Sequence, residues 1–283
     1  MEKVLAAILL VLFLVSCSLR DKDSFVPAYM IIDEVDLLTN ADQGFPSHNI
    51  TDIWVTVDEE FLGVYPLPAK IPIIPSGTDM SIRVNAGVKP NGTINQSFIY
   101  PFYRAVELSR SLEPEEEFIY KPAFVYREDT KFDILEGFEN TNVFINDLDG
   151  NFETFMVRYN QDNNGGNYSG LIELAADRRI AEISTNTKFL AENNAGGSTY
   201  LEFDYKTDVN IFVGYIVETT SQGLANDYLV TFVPNEEWNR VYIDFTSLFT
   251  RNDVENYCVT FFMEHQGSGS SQILFDNIKL VHF

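Results

Sequence analysis

Cysteine, histidine and positive charge are scarce in this chain, and each shortage removes a class of chemistry. The two cysteines are Cys17 and Cys258. Cys17 closes an apolar leader, so no intrachain disulfide is expected. Cys258 lies in the run Tyr257-Cys258-Val259-Thr260-Phe261-Phe262-Met263 and reads as a small buried hydrophobe, because a reactive thiol needs an exposed, electropositive setting with a base nearby. Three scattered histidines argue against a zinc site, and no His-Glu-x-x-His is present. Lys and Arg number 19 against 42 Asp and Glu, a formal charge of -23. Such a surface repels nucleic acid and anionic headgroups over a Debye length, which excludes nucleic acid as a partner.

Enzyme signatures are missing as well. Gly165-Gly166 and Gly196-Gly197 are not followed by the lysine and hydroxyl of a phosphate cradle. No Gly-x-Ser-x-Gly elbow precedes a helix, and Gly267-Ser268-Gly269-Ser270-Ser271 reads as a flexible hairpin loop. A glycosidase needs two carboxylates held across a cleft. The acids here fall in turns or alternate outward on short strands, with no long βα-loops to preorganise a pair. The reading is therefore non-catalytic.

One long apolar run exists, at the start. Lys3 supplies a positive charge, residues 4–15 are almost unbroken apolar sequence, and Leu14-Val15-Ser16-Cys17 resembles a lipobox cut just before its cysteine. The run is too short to span a bilayer, and Arg20-Asp21-Lys22-Asp23 follows it. The expectation is a signal peptide over 1–16, lipidation of Cys17, and a tether over 17–29, with membrane contact through the lipid alone. Ser18 after the cysteine, where inner-membrane retention calls for Asp, points to the outer membrane. Asp21 and Asp23 resemble the surface-export signal of Bacteroidota lipoproteins, and the periplasmic and cell-surface faces both stay open.

Helical periodicity is almost absent from the remaining sequence, whereas period-2 alternation and β-branched or aromatic runs recur throughout, so the fold class is all-β. Residues 53–57 read as a strand, Asp58-Glu59-Glu60 as its turn, and 61–65 as the returning strand. The prolines of 66–75 keep that segment at a sheet edge or outside the ladder. Met80, Ile82 and Val84 alternate onto one face. Leu112-Glu113-Pro114-Glu115-Glu116-Glu117 is a solvated hairpin tip or a crossover, and 118–126 reads as one closing strand. Val55-Thr56-Val57-Asp58, Phe61-Leu62-Gly63, Leu67-Pro68 and Ile74-Pro75-Ser76-Gly77 resemble a small PEGA-type β-domain and the N-terminal half of Bacteroidota lipoproteins. That resemblance implies a structural or binding role over 30–128, as a small β-sandwich-like domain.

From 130 to 283, roughly ten short strands with turns about every ten residues suit a jelly-roll β-sandwich. Expected strands cover 152–159, 170–174, 180–185, 198–205, 211–217, 228–232, 241–245, 257–264 and 272–281, with Trp238 capping the start of one of them. Gly137-Phe138-Glu139, 200–206, 237–245 and the closing Ile273-Leu274-Phe275-Asp276-Asn277-Ile278-Lys279-Leu280 resemble a carbohydrate-binding-module jelly roll. The resemblance implies a structural calcium ion tying first and last strands, with Glu136 or Glu139 and Asp276 as its ligands. Sugar binding by such folds uses half-exposed aromatic faces beside polar groups. Tyr159, Tyr168, Tyr205 and Tyr215, with Arg158, are the candidates for one concave face. Two classes of function fit: glycan binding by this jelly roll, or a structural or protein-interaction subunit of a cell-surface assembly. Exposed aromatics in a groove separate the first from the broad apolar patch of the second.

Overall fold

The computed structural model describes residues 26–92, 96–191, 197–221 and 223–283, so the leader and Cys17 lie outside the described residues. Among the described residues no helix is long and apolar enough to cross a membrane.

The first half contains β1 (Ala28–Ile32), β2 (Asp36–Leu38), β3 (Asp52–Val57), β4 (Glu60–Pro66), β5 (Ala69–Ile73), β6 (Met80–Val88), β7 (Phe98–Ile99), β8 (Val106–Arg110), β9 (Glu117–Ile119) and β10 (Ala123–Val125). An antiparallel sheet runs β4-β3-β6, with β7 and β8 both pairing β6. Asp58 and Glu59 make the β3–β4 turn with φ of 48° and 65°, the mirror-image geometry whose twist suits a two-residue hairpin. A second sheet has the order β5-β1-β9. Pro72 sits in its edge strand β5, where a missing N–H costs no ladder bond.

The acidic run 112–117 is a crossover rather than a hairpin tip, since it carries the chain from β8 to β9, which lies parallel to β1. The single strand expected over 118–126 is two short ones. Pro122 has no N–H to continue a ladder. Its carbonyl instead accepts from the Asp36 N–H, and β10 restarts in parallel register with β2. Met30, Ile53, Val55, Ile71, Ile82, Val84, Phe102 and Phe124 fill the core of this half. Trp54 lies against Phe61, ring centres 5.8 Å apart, and its indole N–H donates to Asp52.

The second half contains β11 (Lys131–Glu136), β12 (Asn146–Asp147), β13 (Val157–Tyr159), β14 (Ser169–Ala175), β15 (Ile180–Ser184), β16 (Phe189–Leu190), β17 (Thr199–Thr207), β18 (Ile211–Thr219), β19 (Gly223–Phe232), β20 (Asn235–Asp244), β21 (Val254–Glu264) and β22 (Ser270–His282). They form two antiparallel sheets. The proximal sheet has the order β13-β14-β22-β17-β20, with β11 also on β22, and the distal sheet has β12-β15-β21-β18-β19, with β16 on β21. This is a β-sandwich of jelly-roll type. Between the sheets, Phe203, Phe261 and Phe275 meet with ring centres 4.7–5.9 Å apart. Each buried ring contributes roughly 1.5–3 kcal/mol of transfer free energy.

Several boundaries differ from those read in the sequence. Only Val157–Tyr159 of 152–159 is strand, because Asp149, Asn151 and Thr154 fold the preceding residues into side-chain-capped turns. Strand β20 starts at Asn235, so Trp238 lies within it rather than at its start, with its indole N–H donating to Asp162 at 2.8 Å.

Strand β17 joins the two halves. Leu201, Phe203 and Tyr205 enter the sandwich core, while Tyr200, together with Tyr242 and Val281, belongs to the core of the first half. Between the halves lies a buried polar seam. The Arg240 guanidinium bridges Glu202 at 2.5 Å and Asp204 at 2.9 Å, with all three side chains almost wholly buried. Tyr100 and Tyr126 donate to Glu202, Ser47 donates to Asp204, and Lys279 donates to the Phe45 carbonyl at 2.9 Å. Buried charges survive because every carboxylate has several donors, and removing one partner would strand the rest.

Candidate ligand-binding face

The expected tyrosine face does not form as one surface. Tyr205 is 3 % exposed and Tyr215 4 %, both in the sandwich core, on β17 and β18 of opposite sheets. Their rings pack on Phe232 and Phe245, since in each strand they share the phase of the inward residues Phe203 and Val213. Arg158 and Tyr168 do come together at the β13 edge of the proximal sheet, while Tyr159, next to Arg158 in the strand, leaves on the other face. There the Arg158 guanidinium covers the Tyr168 ring at 4.1 Å and donates to the Phe138 carbonyl, and the Tyr159 hydroxyl donates to Gln161. Arg158 is thus engaged in holding the loop after β11.

The three carboxylates expected to hold calcium are spent on backbone donors. Glu136 accepts from the N–H groups of Phe138 and Val143, Glu139 from those of Asn167 and Tyr168, and Asp276 from those of Asn164 and Asn277. A calcium site needs clustered oxygens turned on one point, and among the described residues no group of three or more His, Cys, Asp or Glu side chains could hold a metal ion. These residues do not fit the ion. Asp276 and Asn277 instead form a bulge in β22, with Asn277 at φ 50°. Phe275 and Ile278 on either side of it both enter the core. Burial pushes Asp276 up to about 7 despite its two backbone donors. Burial, and then the Arg240 charge, bring Lys279 down to about 7.

A different surface has the makings of a ligand site: the outward face of the distal sheet. Register places Glu182, Phe262, Phe212 and Thr231 in one row across β15, β21, β18 and β19, and Ser184, Thr260, Gly214 and Tyr228 in the next. Phe212, Phe262 and Tyr228 are half-buried and meet one another at 5.6–6.4 Å between ring centres. They stand outside the sandwich core, which takes Val213, Tyr215, Val259 and Phe261 among others from these strands. The Tyr228 hydroxyl donates to Glu182 at 2.6 Å, and burial followed by that bond holds the phenol well above its ordinary range. Asn146 donates to Ser184 at 2.8 Å beside it, and Glu182 is fixed through its own N–H by Asp149. Gly214 is required here, because a β-carbon would lie 1.9 Å from the Asp227 carbonyl oxygen. The bulge between Val213 and Gly214 lets β19 close in and bring Tyr228 over the sheet.

This face combines flat apolar rings with fixed carboxylate, hydroxyl and amide groups, the composition by which proteins hold a ligand having apolar ring faces and polar edges. Sequence reasoning passed over its aromatics because they sit in continuous apolar runs. The available signal was adjacency: in Phe261-Phe262 a strand must send one ring to each face.

No protein-family model and no curated protein sequence matches this chain. Among solved structures, it is similar to the C-terminal family 22 carbohydrate-binding module of Clostridium thermocellum Xyn10B, at 13% identity over 54% of this chain and 96% of that one, with a TM-score of 0.38. The CBM22-1 xylan-binding domain of Paenibacillus barcinonensis Xyn10C aligns at 9% identity over 55% of this chain and 97% of its own, with a TM-score of 0.40. The family 11 carbohydrate-binding module of a Clostridium thermocellum cellulosomal cellulase aligns at 15% identity over 52% and 92% of the two chains, with a TM-score of 0.36.

Proposed function

We propose that this chain is a non-catalytic, lipid-anchored protein of the outer membrane that binds glycan through the outward face of its distal sheet. The observation that carries the reading is the contiguous set of half-buried rings, Phe212, Phe262 and Tyr228, next to Glu182. Pyranose rings offer apolar C–H faces and hydroxyl edges, which such a surface matches group for group. The anchor is supported by Leu14-Val15-Ser16-Cys17 at the end of the apolar leader. Intact-mass measurement of membrane-extracted protein tests it, since an unmodified Cys17 would remove it.

A glycan array probed with the lipid-free protein, followed by calorimetry on each hit, tests the binding. Phe262→Ala and Tyr228→Ala are each expected to weaken binding about tenfold or more, the loss of roughly 1.4 kcal/mol of stacking. Absence of saturable binding, or affinity indifferent to both substitutions, would overturn the proposal. One observation favours contact with a protein instead. Phe152, 77 % exposed, meets Phe155 edge-on, and Ile145 and Leu148, a few residues earlier in the chain, are exposed as well; pull-down with Phe152→Ser separates that surface from the aromatic face.

A further inference from the structure

Where the first half meets the proximal sheet, a cavity of about 350 Å³ opens beside the seam. Residues 41–45, the turn after β11, the backbone of Gly165-Gly166 and the bulged part of β22 frame it, so both halves contribute walls. That volume is at the low end of the range for small-molecule sites, which leaves room for one ring and not for a chain.

Phe45 stands at this cavity 45 % exposed, and its position is fixed by three ties. Lys279 Nζ donates to its carbonyl at 2.9 Å, the Thr39 hydroxyl donates to the Gly44 carbonyl at 2.7 Å, and Pro46 restricts its backbone. The ring rests against Gly165, where a β-carbon would come within 2.3 Å of it, and a β-carbon at Gly166 would come equally close to Glu139 Oε1. Both glycines have positive φ, 99° and 82°, so this pair supplies bare backbone on which an aromatic ring and a carboxylate are seated. Glu139 is fixed in turn. Its Oε1 accepts from the Asn167 and Tyr168 N–H groups, its Oε2 from the Asn167 amide alone, and its carbonyl from Arg158. The Asn167 donors hold its carboxyl below the ordinary carboxylate range, and Oε2 keeps a lone pair for a ligand hydroxyl. Asn140 and Thr141 beside it are exposed, as is the apolar Leu135. A rigid, half-exposed ring next to reachable polar groups is a surface whose ordering is complete before any ligand arrives.

Resting on the glycan reading above for the class of ligand, we propose that this cavity is a second sugar site, separate from the distal sheet, that takes a single neutral pyranose ring. The C–H face of the sugar lies on Phe45, and Glu139 Oε2, Asn140 and Thr141 receive its hydroxyls. A uronate is disfavoured, because its carboxylate meets Glu139 at like charge. Since the walls come from both halves, a bound sugar favours the docked arrangement of the two.

The test uses the lipid-free full chain and saturation-transfer NMR, with the methyl glycosides of glucose, galactose, mannose and xylose as neutral probes and that of glucuronate as the acidic one. At least one neutral glycoside is expected to bind, and the glucuronate is not. The binding should persist in Phe262→Ala, which disables the distal face. In that background Phe45→Ala should weaken it about tenfold or more, the order of one stacking contact. Ala41→Leu, which fills part of the cavity and removes no contact, should do the same, with urea midpoints recorded for both variants without sugar. Binding indifferent to both changes, or abolished by Phe262→Ala alone, would overturn the cavity's role and leave the distal face standing. Preference for the glucuronate, or silence of all five glycosides while the array reports binding, would also overturn it. Silence of the array as well would remove the glycan reading and this proposal together.

Discussion

At the scale of single residues, β22 holds two groups whose protonation is displaced in opposite senses. Asp276 lies near 7 in the folded protein against 3.8 for an ordinary aspartate. Between about pH 4 and 7 the folded chain therefore keeps a proton that the unfolded chain releases, and stability falls as pH rises through that window. Lys279 lies near 7 against 10.5. From about pH 7 to 10 the unfolded chain holds the extra proton, so stability rises with pH. Their joint contribution has its minimum near pH 7. Urea unfolding between pH 4 and 10 checks this: Asp276→Asn should flatten the acid limb and Lys279→Met the alkaline limb, and a profile indifferent to both would refute the assignment.

At the scale of elements, the strands were readable because period-2 alternation records which face is buried. Met80, Ile82 and Val84 alternate in β6, and all three are buried. The ligand face was less readable for the same reason. Where both faces of a strand carry apolar groups, as in β18 and β21, alternation vanishes and only register assigns Phe212 and Phe262 to the outside. Tyr205 and Tyr215 misled because a tyrosine tolerates half-exposure equally well in a core. The seam was hidden too, since Glu202 and Asp204 alternate as solvent-facing acids do and only tertiary contact buries them. The β18–β19 bulge gives a test at this scale. Gly214→Ala forces its β-carbon against the Asp227 carbonyl, with an expected loss of about 1–3 kcal/mol in denaturant unfolding. It should also displace Tyr228 and weaken glycan binding, whereas wild-type stability and affinity would show that the bulge is not needed to place the ring.

At the scale of the whole molecule, the two sheets of the sandwich have different surroundings. The proximal sheet sends Tyr200, Tyr242 and Val281 into the core of the first half, while the distal sheet turns its ring-bearing face outward. We propose 30–128 and 130–283 as the two domains, joined by the seam. A fragment of residues 130–283 loses the cover over Glu202, Asp204 and Arg240, and exposed apolar surface replaces buried contacts. Its midpoint in urea, followed by circular dichroism, should fall below that of the full chain. An unchanged midpoint would show that the seam contributes nothing to the stability of the sandwich.

The placement of the two tryptophans makes the molecule its own two-channel fluorimeter. Trp54 is held by Asp52 in the first half and Trp238 by Asp162 in the second, and the chain has no third indole to blur their emission. Trp238→Phe leaves a protein whose fluorescence reports the first half alone, and Trp54→Phe one that reports the sandwich. If the seam couples the halves into one cooperative unit, the two emission curves coincide through a urea titration. Curves that separate would resolve two transitions and give each half its own free energy of unfolding.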